Sequence, residues 1–378
     1  MAAIITQPFN IMCFSWNAAG LRLCETMSQN SANQARQSGF GVFKDTCVAP
    51  DFFEDIRDTI RAKRPSLTVM VTEDEATKGS YFHSNLLTNA MPEIGYILLH
   101  KEKFDNATEG NGSVRISIYT RIELLSQFRS QQRLLTRFFG TGTTVACNQS
   151  TRSSGAVAIY IQHEVYGRFA FIATHLPLGT TMVDISPTID YDSYRAVIRA
   201  TNTLCLIAIM DKLISSLPVN ERPDHILLLG DLNYDISIPG RRTADIITDI
   251  TANITAQSLR NIRQYDELRR AMEEAPLLGF KEGVAGEGPL FLPTSRLVRG
   301  RGVSCEINRT TARVDPSCFG NLTEPTAHIG WHDRILYKDT LTSPYIIHCT
   351  EYNRIDIKNI HESTHAAVAG LYELRPIK

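Results

Sequence analysis

Two short polar clusters that lie directly against strand-like apolar runs constrain the fold of this chain most. One is Gly230-Asp231-Leu232-Asn233-Tyr234, which follows the apolar run at residues 225–229. The other is Trp331-His332-Asp333-Arg334, which precedes Ile335-Leu336-Tyr337. Because side chains alternate along a strand, Asp231 and Asn233 are expected on one face at the rim of a sheet. A carboxylate and an amide in this arrangement suit the holding and deprotonation of a water molecule beside a phosphate.

Strand-length apolar runs alternate with helical patterns along the whole chain. The helical patterns cover residues 51–63, 191–214, 244–254 and 264–275. In the longest of them, Leu204, Ile207 and Ile214 are expected on the buried face. Strands are predicted at residues 11–15, 67–71, 96–100, 114–119, 156–162, 169–174, 225–229, 335–337, 344–349 and 366–374. Because some strands adjoin in hairpins while others are separated by helices, we expect a layered α/β fold with mixed sheets, in one domain over residues 1–378.

Size and charge limit the classes of function. A chain of 378 residues, 43% of them hydrophobic, buries roughly three quarters of its unfolded surface on folding. The formal net charge of −1 provides no global field that favours nucleic acid or an anionic membrane. An anionic substrate must therefore be captured by a local basic site.

The cysteines and the apolar segments bear on cellular location. The eight cysteines are scattered without a CxxC pair or metal-ligand spacing, which favours free thiols in a reducing compartment. No apolar stretch approaches the roughly 18 to 20 residues that span a bilayer, and residues 1–10 have no basic flank before an apolar core. We therefore expect a cytoplasmic protein. Phe138-Phe139-Gly140, with Arg133 and Arg137 just before it, is consistent with peripheral membrane contact, although a plain loop on the core is the favoured interpretation.

Polar residues follow several of the predicted strands. Each one alone is weak evidence, because strand ends are usually wet and polar. Together they supply the acids, amides and imidazole that phosphate hydrolysis needs if they converge on one rim of the fold. These residues are Asn17, Glu73, His175, Asp231 and Asn233.

At these positions the sequence resembles the inositol polyphosphate 5-phosphatases of the endonuclease/exonuclease/phosphatase superfamily. The resemblance runs in the family's order over roughly residues 10–375, and Trp331-to-Tyr337 is its most specific segment. It implies a DNase I-like four-layer sandwich, in which two packed mixed β-sheets are flanked by helices. The other matching segments are Ser15-Trp16-Asn17, Thr72-Glu73, Ser153-to-Ala158, Thr174-His175-Leu176, Gly230-to-Tyr234 and Phe291-Leu292-Pro293-Thr294.

The resemblance also implies roles for the residues of the site. Glu73 and Asn17 would hold a Mg²⁺ ion, a hard cation that takes carboxylate, phosphate and water oxygens. Asp231, oriented with Asn233, would act as general base on the attacking water. His175 would donate to the phosphate and stabilise the charged transition state.

A histidine near the C-terminus completes the implied catalytic group. The family has Ser-Asp-His before a strand, and this chain has Ser363-Thr364-His365. His365 is the expected counterpart, paired with Asp333, and His361 is the less favoured alternative. Thr364 cannot supply the carboxylate that usually stands there.

The substrate-binding residues match the family less well. Arg334 and Arg296 are expected to contact substrate phosphates, with an ordinary salt bridge as the alternative for Arg334. The family's tyrosine is absent from Pro293-Thr294-Ser295-Arg296, no basic pair precedes Trp331, and Asp235 stands where an arginine is common.

Three functions remain open from the sequence. The favoured hypothesis is a Mg²⁺-dependent phosphatase that removes the 5-phosphate of phosphoinositides or soluble inositol polyphosphates. The second is a DNase-like nuclease or a sphingomyelinase-type phosphodiesterase, although no Arg/Lys stripe with interleaved aromatics supports nucleic-acid binding. The third is a catalytically degenerate protein that binds inositol phosphates. The sequence predicts no oligomeric state.

Overall fold

The computed structural model describes most of the chain. The described residues are 8–17, 22–23, 47–48, 51–75, 90–104, 112–130, 155–176, 191–215, 217–274, 279–295, 297, 311–320, 329–340, 343–355 and 364–377.

The described strands form two large mixed sheets and one small pair. In chain order they are β1 (Asn10–Asn17), β2 (Arg22–Leu23), β3 (Cys47–Val48), β4 (Leu67–Glu75), β5 (Tyr96–Phe104), β6 (Gly112–Arg121), β7 (Phe128–Ser130), β8 (Gly155–His163), β9 (Gly167–His175), β10 (His225–Asp231), β11 (Lys281–Glu282), β12 (Asp333–Asp339), β13 (Tyr345–Ile355) and β14 (Ala367–Pro376).

The first sheet has the order β13-β14-β1-β4-β6-β5, and the second has the order β11-β12-β10-β9-β8-β7. Each sheet contains one parallel pair, β1 with β4 in the first and β9 with β10 in the second, while its other pairs are antiparallel. The two parallel pairs carry the polar strand ends that the sequence singled out. β2 and β3 pair only with each other.

The α-helices of eight residues or more in the described part cover the outer faces of the sheets or the loops beside them. They are α1 (Asp51–Lys63), α2 (Tyr191–Met210), α3 (Thr243–Ala252), α4 (Ala256–Arg263) and α5 (Glu267–Glu274).

Apolar side chains hold these layers together. The inward faces of both sheets meet in one buried cluster, for example Val69 of β4 against Phe171 of β9. Ile56 and Ile60 of α1 pack on the outer face of the first sheet. Leu206 of α2 belongs to a third cluster on the outer face of the second sheet. The molecule is therefore a four-layer sandwich of two mixed sheets flanked by helices, as the family resemblance implied.

The face of α2 that packs on the sheet differs from the prediction. Leu204 is 63% exposed and Ile207 is 38% exposed, whereas Cys205, Leu206 and Ile209 are buried. Residues 204–210 are apolar on every side of the helix, so helical periodicity cannot identify the inner face. The helix also ends at Met210, before a short π-helical turn.

The start of the helix predicted at residues 264–275 also differs in the structure. Residues 264–266 separate α4 from α5, and the helix begins at Glu267. Asp266 Oδ1 accepts a hydrogen bond from Leu268 N at 3.3 Å, as an N-terminal capping residue does. A new helix therefore begins after Asp266.

Two cysteines contradict the interpretation that all eight are free thiols. Cys205 and Cys318 are each disulfide-bonded, whereas Cys13 and Cys349 are free and buried. The reducing compartment inferred from the cysteines loses that support, so the cytoplasmic location stays a prediction. Within the described residues, no helix combines the length and the apolar character needed to cross a bilayer.

Candidate active site

Strand register brings the polar strand ends of both sheets to the same rim of the sandwich. In the first sheet, Asn17 of β1 pairs with Glu73 of β4. In the second sheet, Asp231 of β10 lies between His175 of β9 and Asp333 of β12. A small pocket opens between the two sets, and residues from both sheets line it.

Asp231 is the centre of this site. Its Oδ2 accepts a hydrogen bond from Asn17 Nδ2 at 2.7 Å, and its Oδ1 accepts one from Asn233 N at 2.9 Å. The same Oδ2 lies 3.9 Å from His175 Nε2 and 3.9 Å from His365 Nδ1. Burial opposes ionisation, but the neighbouring imidazoles and the bond from Asn17 lower the pKa of Asp231 below its ordinary value. The carboxylate is therefore ionised at neutral pH.

The loop after Asp231 is held in an unusual conformation. Asn233 has a positive φ of 51°, which asparagine tolerates better than most residues. Its Nδ2 donates to Leu176 O at 2.7 Å. Its own backbone oxygen accepts from Asn202 Nδ2 at 3.1 Å. These bonds commit the amide nitrogen of Asn233 to the loop, so its Oδ1 is the atom that can orient a water molecule.

His175 lies between the two acids of the site. Its Nδ1 is 3.2 Å from Glu73 Oε1. Burial alone would lower the pKa of His175, but Glu73, Asp231 and Asp333 outweigh it and raise the pKa to about 9. The imidazole is therefore a cation at neutral pH, suited to donate to a phosphate oxygen.

His365 forms the second histidine–carboxylate pair of the site. Its Nδ1 is 2.8 Å from Asp333 Oδ2, and the other carboxylate oxygen accepts from Asn17 N at 2.7 Å. Burial opposes the charge of His365, but Asp333 and Asp231 raise its pKa above the ordinary value. Asp333 therefore supplies the carboxylate partner that Thr364 lacks, and the predicted pairing of His365 with Asp333 is present.

The residues at this rim fit a divalent cation. One ligand atom each of Glu73, His175 and Asp231 lie within 4.8 Å of one another. Glu73 Oε2 is buried, and in the described part of the chain it has no hydrogen-bond partner. A buried carboxylate oxygen without a donor is costly unless a cation satisfies it. Glu73 and the side-chain oxygen of Asn17 would provide the oxygen ligands that Mg²⁺ prefers.

Arg334 does not contact this site, and its predicted role in substrate binding is wrong. The side chain is 1% exposed. Nε and Nη2 donate to the carboxylate of Glu282, and Nη1 and Nη2 donate to that of Asp266, at 2.5 to 3.1 Å. Nη1 also donates to Trp331 O at 3.0 Å. All five N–H donors of the guanidinium are thus used, so none is left for a phosphate.

The other predicted substrate contact cannot be placed. Arg296 lies outside the described residues, as do His361 and the segment from Arg133 to Gly140. The predicted role of Arg296 and the membrane contact therefore stay predictions.

The structure adds three residues that the sequence reasoning did not assign. His332 Nε2 is 2.8 Å from Asp235 Oδ1, and Asp235 Oδ2 is 2.5 Å from Arg195 Nη1. All three side chains are buried. The signal available in the sequence was His332 itself, directly before Asp333, where the resembling family has a cysteine.

The family model described as Endonuclease/Exonuclease/phosphatase family 2 matches residues 126–371. The chain belongs to this family. The match includes His175, Asp231, Asn233, Asp333 and His365, whereas Asn17 and Glu73 lie before it. No curated protein matches the sequence.

Two solved structures illustrate the fold of this family member. The inositol polyphosphate 5-phosphatase domain of SpSynaptojanin, in complex with inositol (1,4)-bisphosphate and calcium ion, has a TM-score of 0.52 and 15% identity, covering 98% of this chain and 86% of that chain. Cimex nitrophorin, as a ferrous NO complex, has a TM-score of 0.53 and 14% identity, covering 97% of this chain and 98% of that chain. At such identities the likeness shows the fold alone.

Proposed function

We propose that this protein is a Mg²⁺-dependent phosphatase that hydrolyses the 5-phosphate of phosphoinositides or soluble inositol polyphosphates. The observation that carries the proposal is the environment of Asp231. It is a buried, ionised carboxylate that accepts from two asparagines and lies 3.9 Å from two histidines. The substrate class is supported by the Trp331-to-Tyr337 segment and by the inositol phosphate bound to the first structural neighbour.

The residues of the site divide the work of hydrolysis. Asp231 accepts a proton from the attacking water, whose oxygen forms the new bond to phosphorus while the bond to the inositol oxygen breaks and that oxygen takes up a proton from solvent. His175, a cation with a pKa of about 9, donates to a phosphoryl oxygen and stabilises the charge that develops there. His365 lies on the other side of Asp231 and pairs with Asp333. Glu73 and Asn17 would hold a Mg²⁺ ion, which would supply positive charge to neutralise the negative charge that develops on the phosphate.

A substrate panel tests the proposal. Phosphate release in Mg²⁺ is measured with inositol 1,4,5-trisphosphate, with inositol 1,4-bisphosphate, with vesicles containing 5-phosphorylated phosphoinositides, and with a simple phosphodiester. We expect release only from the 5-phosphorylated compounds. Cleavage of the phosphodiester alone would favour the nuclease or sphingomyelinase alternative, and tight binding without release would favour the degenerate binding protein.

The variant Asp231→Asn identifies the base. Because a positioned general base contributes roughly 10² to 10⁴ in rate, we expect the kcat of this variant to fall at least about 100-fold. Asp249→Asn is the matched control, since Asp249 is 55% exposed in a surface pair with Arg241 and its loss should leave kcat unchanged. Equal rates for the two variants would contradict the role of Asp231.

A further inference from the structure

A second group of potential ligands shares Asp231 with the group around Glu73. One ligand atom each of Asp231, His332 and His365 lie within 4.8 Å of one another. The rings of His332 and His365 have their centroids 5.7 Å apart. This group contains two imidazoles and one carboxylate, whereas the group around Glu73 contains two carboxylates and one imidazole.

Each of these two histidines has a carboxylate behind it. His365 Nδ1 is 2.8 Å from Asp333 Oδ2, and His332 Nε2 is 2.8 Å from Asp235 Oδ1. A histidine that binds a metal usually donates its other ring N–H to a carboxylate, which fixes the tautomer and makes the ligating nitrogen more basic. Each of the two histidines has one ring nitrogen on a carboxylate, so an ion would bind His332 through Nδ1 and His365 through Nε2.

The nitrogen of His332 that a cation would use is available. Nε2 faces Asp235, which is itself held by Arg195, so the proton of the neutral ring belongs on Nε2 and the lone pair on Nδ1. The side chain is 4% exposed, and within the described residues Nδ1 has no hydrogen-bond partner. A buried acceptor without a donor is unfavourable unless a ligand satisfies it.

The backbone around His332 is held on both sides. Its N–H donates to Thr294 Oγ1 at 2.9 Å, and its carbonyl oxygen accepts from Leu232 N at 2.8 Å. Two residues earlier, Gly330 lies so close to the chain that a Cβ there would be 2.3 Å from Tyr234 O. The imidazole therefore projects from a fixed position next to Asp231.

We propose that Asp231, His332 and His365 form a second cation site, which binds a divalent transition ion of the Zn²⁺ class. Imidazole nitrogen is a preferred ligand of such ions, whereas Mg²⁺ prefers oxygen. Three protein ligands leave a coordination position open for water or a phosphate oxygen. This second site adds to the proposed function and depends on it in one respect only, the catalytic role of Asp231. The site is therefore tested by ion binding without substrate.

Two substitutions of His332 separate ion binding from structural support. His332→Gln places an amide nitrogen near the position of Nε2, so it keeps a donor for Asp235 but removes Nδ1. His332→Asn places an amide oxygen near the position of Nδ1, so it keeps an acceptor for the ion but loses the contact with Asp235. If His332 binds an ion, the glutamine variant loses more affinity than the asparagine variant. If His332 only supports the fold, the asparagine variant is the more damaged one.

The experiment is a titration of the full chain with Zn²⁺ in excess Mg²⁺ by calorimetry, and with Co²⁺ by visible absorption. We expect one Zn²⁺ per wild-type chain, an affinity at least about tenfold weaker in His332→Gln, and an intermediate affinity in His332→Asn. Asp235→Asn should weaken binding by about 10- to 100-fold, as a lost carboxylate partner does. Glu73→Gln should leave this Zn²⁺ site in place.

The outcomes are distinct. Zn²⁺ affinity and a Co²⁺ spectrum unchanged in His332→Gln would overturn the proposal, as would a reversed order of the two His332 variants. Thermal unfolding in a chelator confirms that each variant is folded before it is titrated. A wild-type chain that binds Zn²⁺ through His332 but releases no phosphate from any substrate would refute the proposed function and leave the second site standing.

Discussion

Gly230 allows β10 and β9 to approach each other immediately before Asp231. Its φ is +145°, and a Cβ on this residue would be 1.7 Å from Thr174 O. We expect Gly230→Ala to cost several kcal/mol in the free energy of unfolding or to prevent folding, because the contact is with backbone that cannot move aside. Gly240→Ala is the control, since Gly240 also has a positive φ of +70° but no atom within 4 Å of its Cβ position. Its cost should be about 1 to 2 kcal/mol, and urea denaturation of both variants measures the difference.

Arg334 gives a second prediction at the scale of single residues. Arg334→Met leaves the carboxylates of Asp266 and Glu282 buried without their cation, which typically costs about 3 to 5 kcal/mol. Arg375→Met is the control, because Arg375 pairs with Glu373 at the surface, where an ion pair contributes about 1 kcal/mol or less.

Both arginine variants are compared by urea denaturation and by the KM for substrate. If Arg334→Met is as stable as the wild type but has a strongly raised KM, the structural role of Arg334 is contradicted and its role in substrate binding is supported.

The two outcomes at Arg334 and at the strand ends show what the sequence can predict about single residues. Asn17, Glu73, His175 and Asp231 could be placed because each follows or ends a strand, which is a local property of the sequence. The ligands of Arg334 could not be predicted, because Asp266 and Glu282 are 68 and 52 residues away in the chain. The role of His332 could not be predicted for the same reason, since its partner Asp235 is 97 residues away in the chain.

Among the secondary-structure elements, the hairpin of β8 and β9 contains a histidine that should make the free energy of unfolding depend on pH in acid. His163, at the end of β8, accepts hydrogen bonds at Nδ1 from Val165 N and Tyr166 N at 3.0 and 3.3 Å. Burial lowers its pKa from 6.5 to about 4. The unfolded chain therefore takes up the proton first, and the stability that neutral His163 contributes is present above pH 6.5 and lost as the pH falls through about 4.

Urea denaturation of the wild type and of His163→Gln tests this response. We expect the variant to be the less stable protein at neutral pH, and the gap between the two free energies of unfolding to narrow as the pH is lowered toward 4. Other carboxylates titrate in the same range, but they do so in both proteins and cancel in the comparison. A gap that stays constant or widens on acidification would contradict the assignment.

The elements themselves were largely predictable. The strands at residues 11–15, 67–71 and 225–229 are present, and helix α1 has the bounds that its pattern predicted. The errors arose where local patterns are ambiguous. In α2 every residue from 204 to 210 is apolar, so its inner face depends on where the second sheet lies. The break before α5 depends on Asp266, whose capping role is combined with its long-range contact to Arg334.

At the scale of the whole molecule, the two sheets explain why the site forms. Asn17 and Glu73 come from the first sheet, while His175, Asp231 and Asp333 come from the second, and the apolar cluster between the sheets fixes their separation. The layered α/β fold followed from hairpins and helices in the sequence. The meeting of both sheets at one rim did not follow from any single segment, and the resemblance to a known family was needed to predict it.

The central claim is that this rim binds a divalent cation and hydrolyses a phosphate ester. Phosphate release from inositol 1,4,5-trisphosphate, measured after chelation and again as Mg²⁺ is returned, tests it most directly. We predict no release in the chelator, recovery with Mg²⁺, and a requirement for at least about tenfold more Mg²⁺ in Glu73→Gln. Full activity in the chelator, or a Mg²⁺ requirement that is the same in Glu73→Gln as in the wild type, would contradict it.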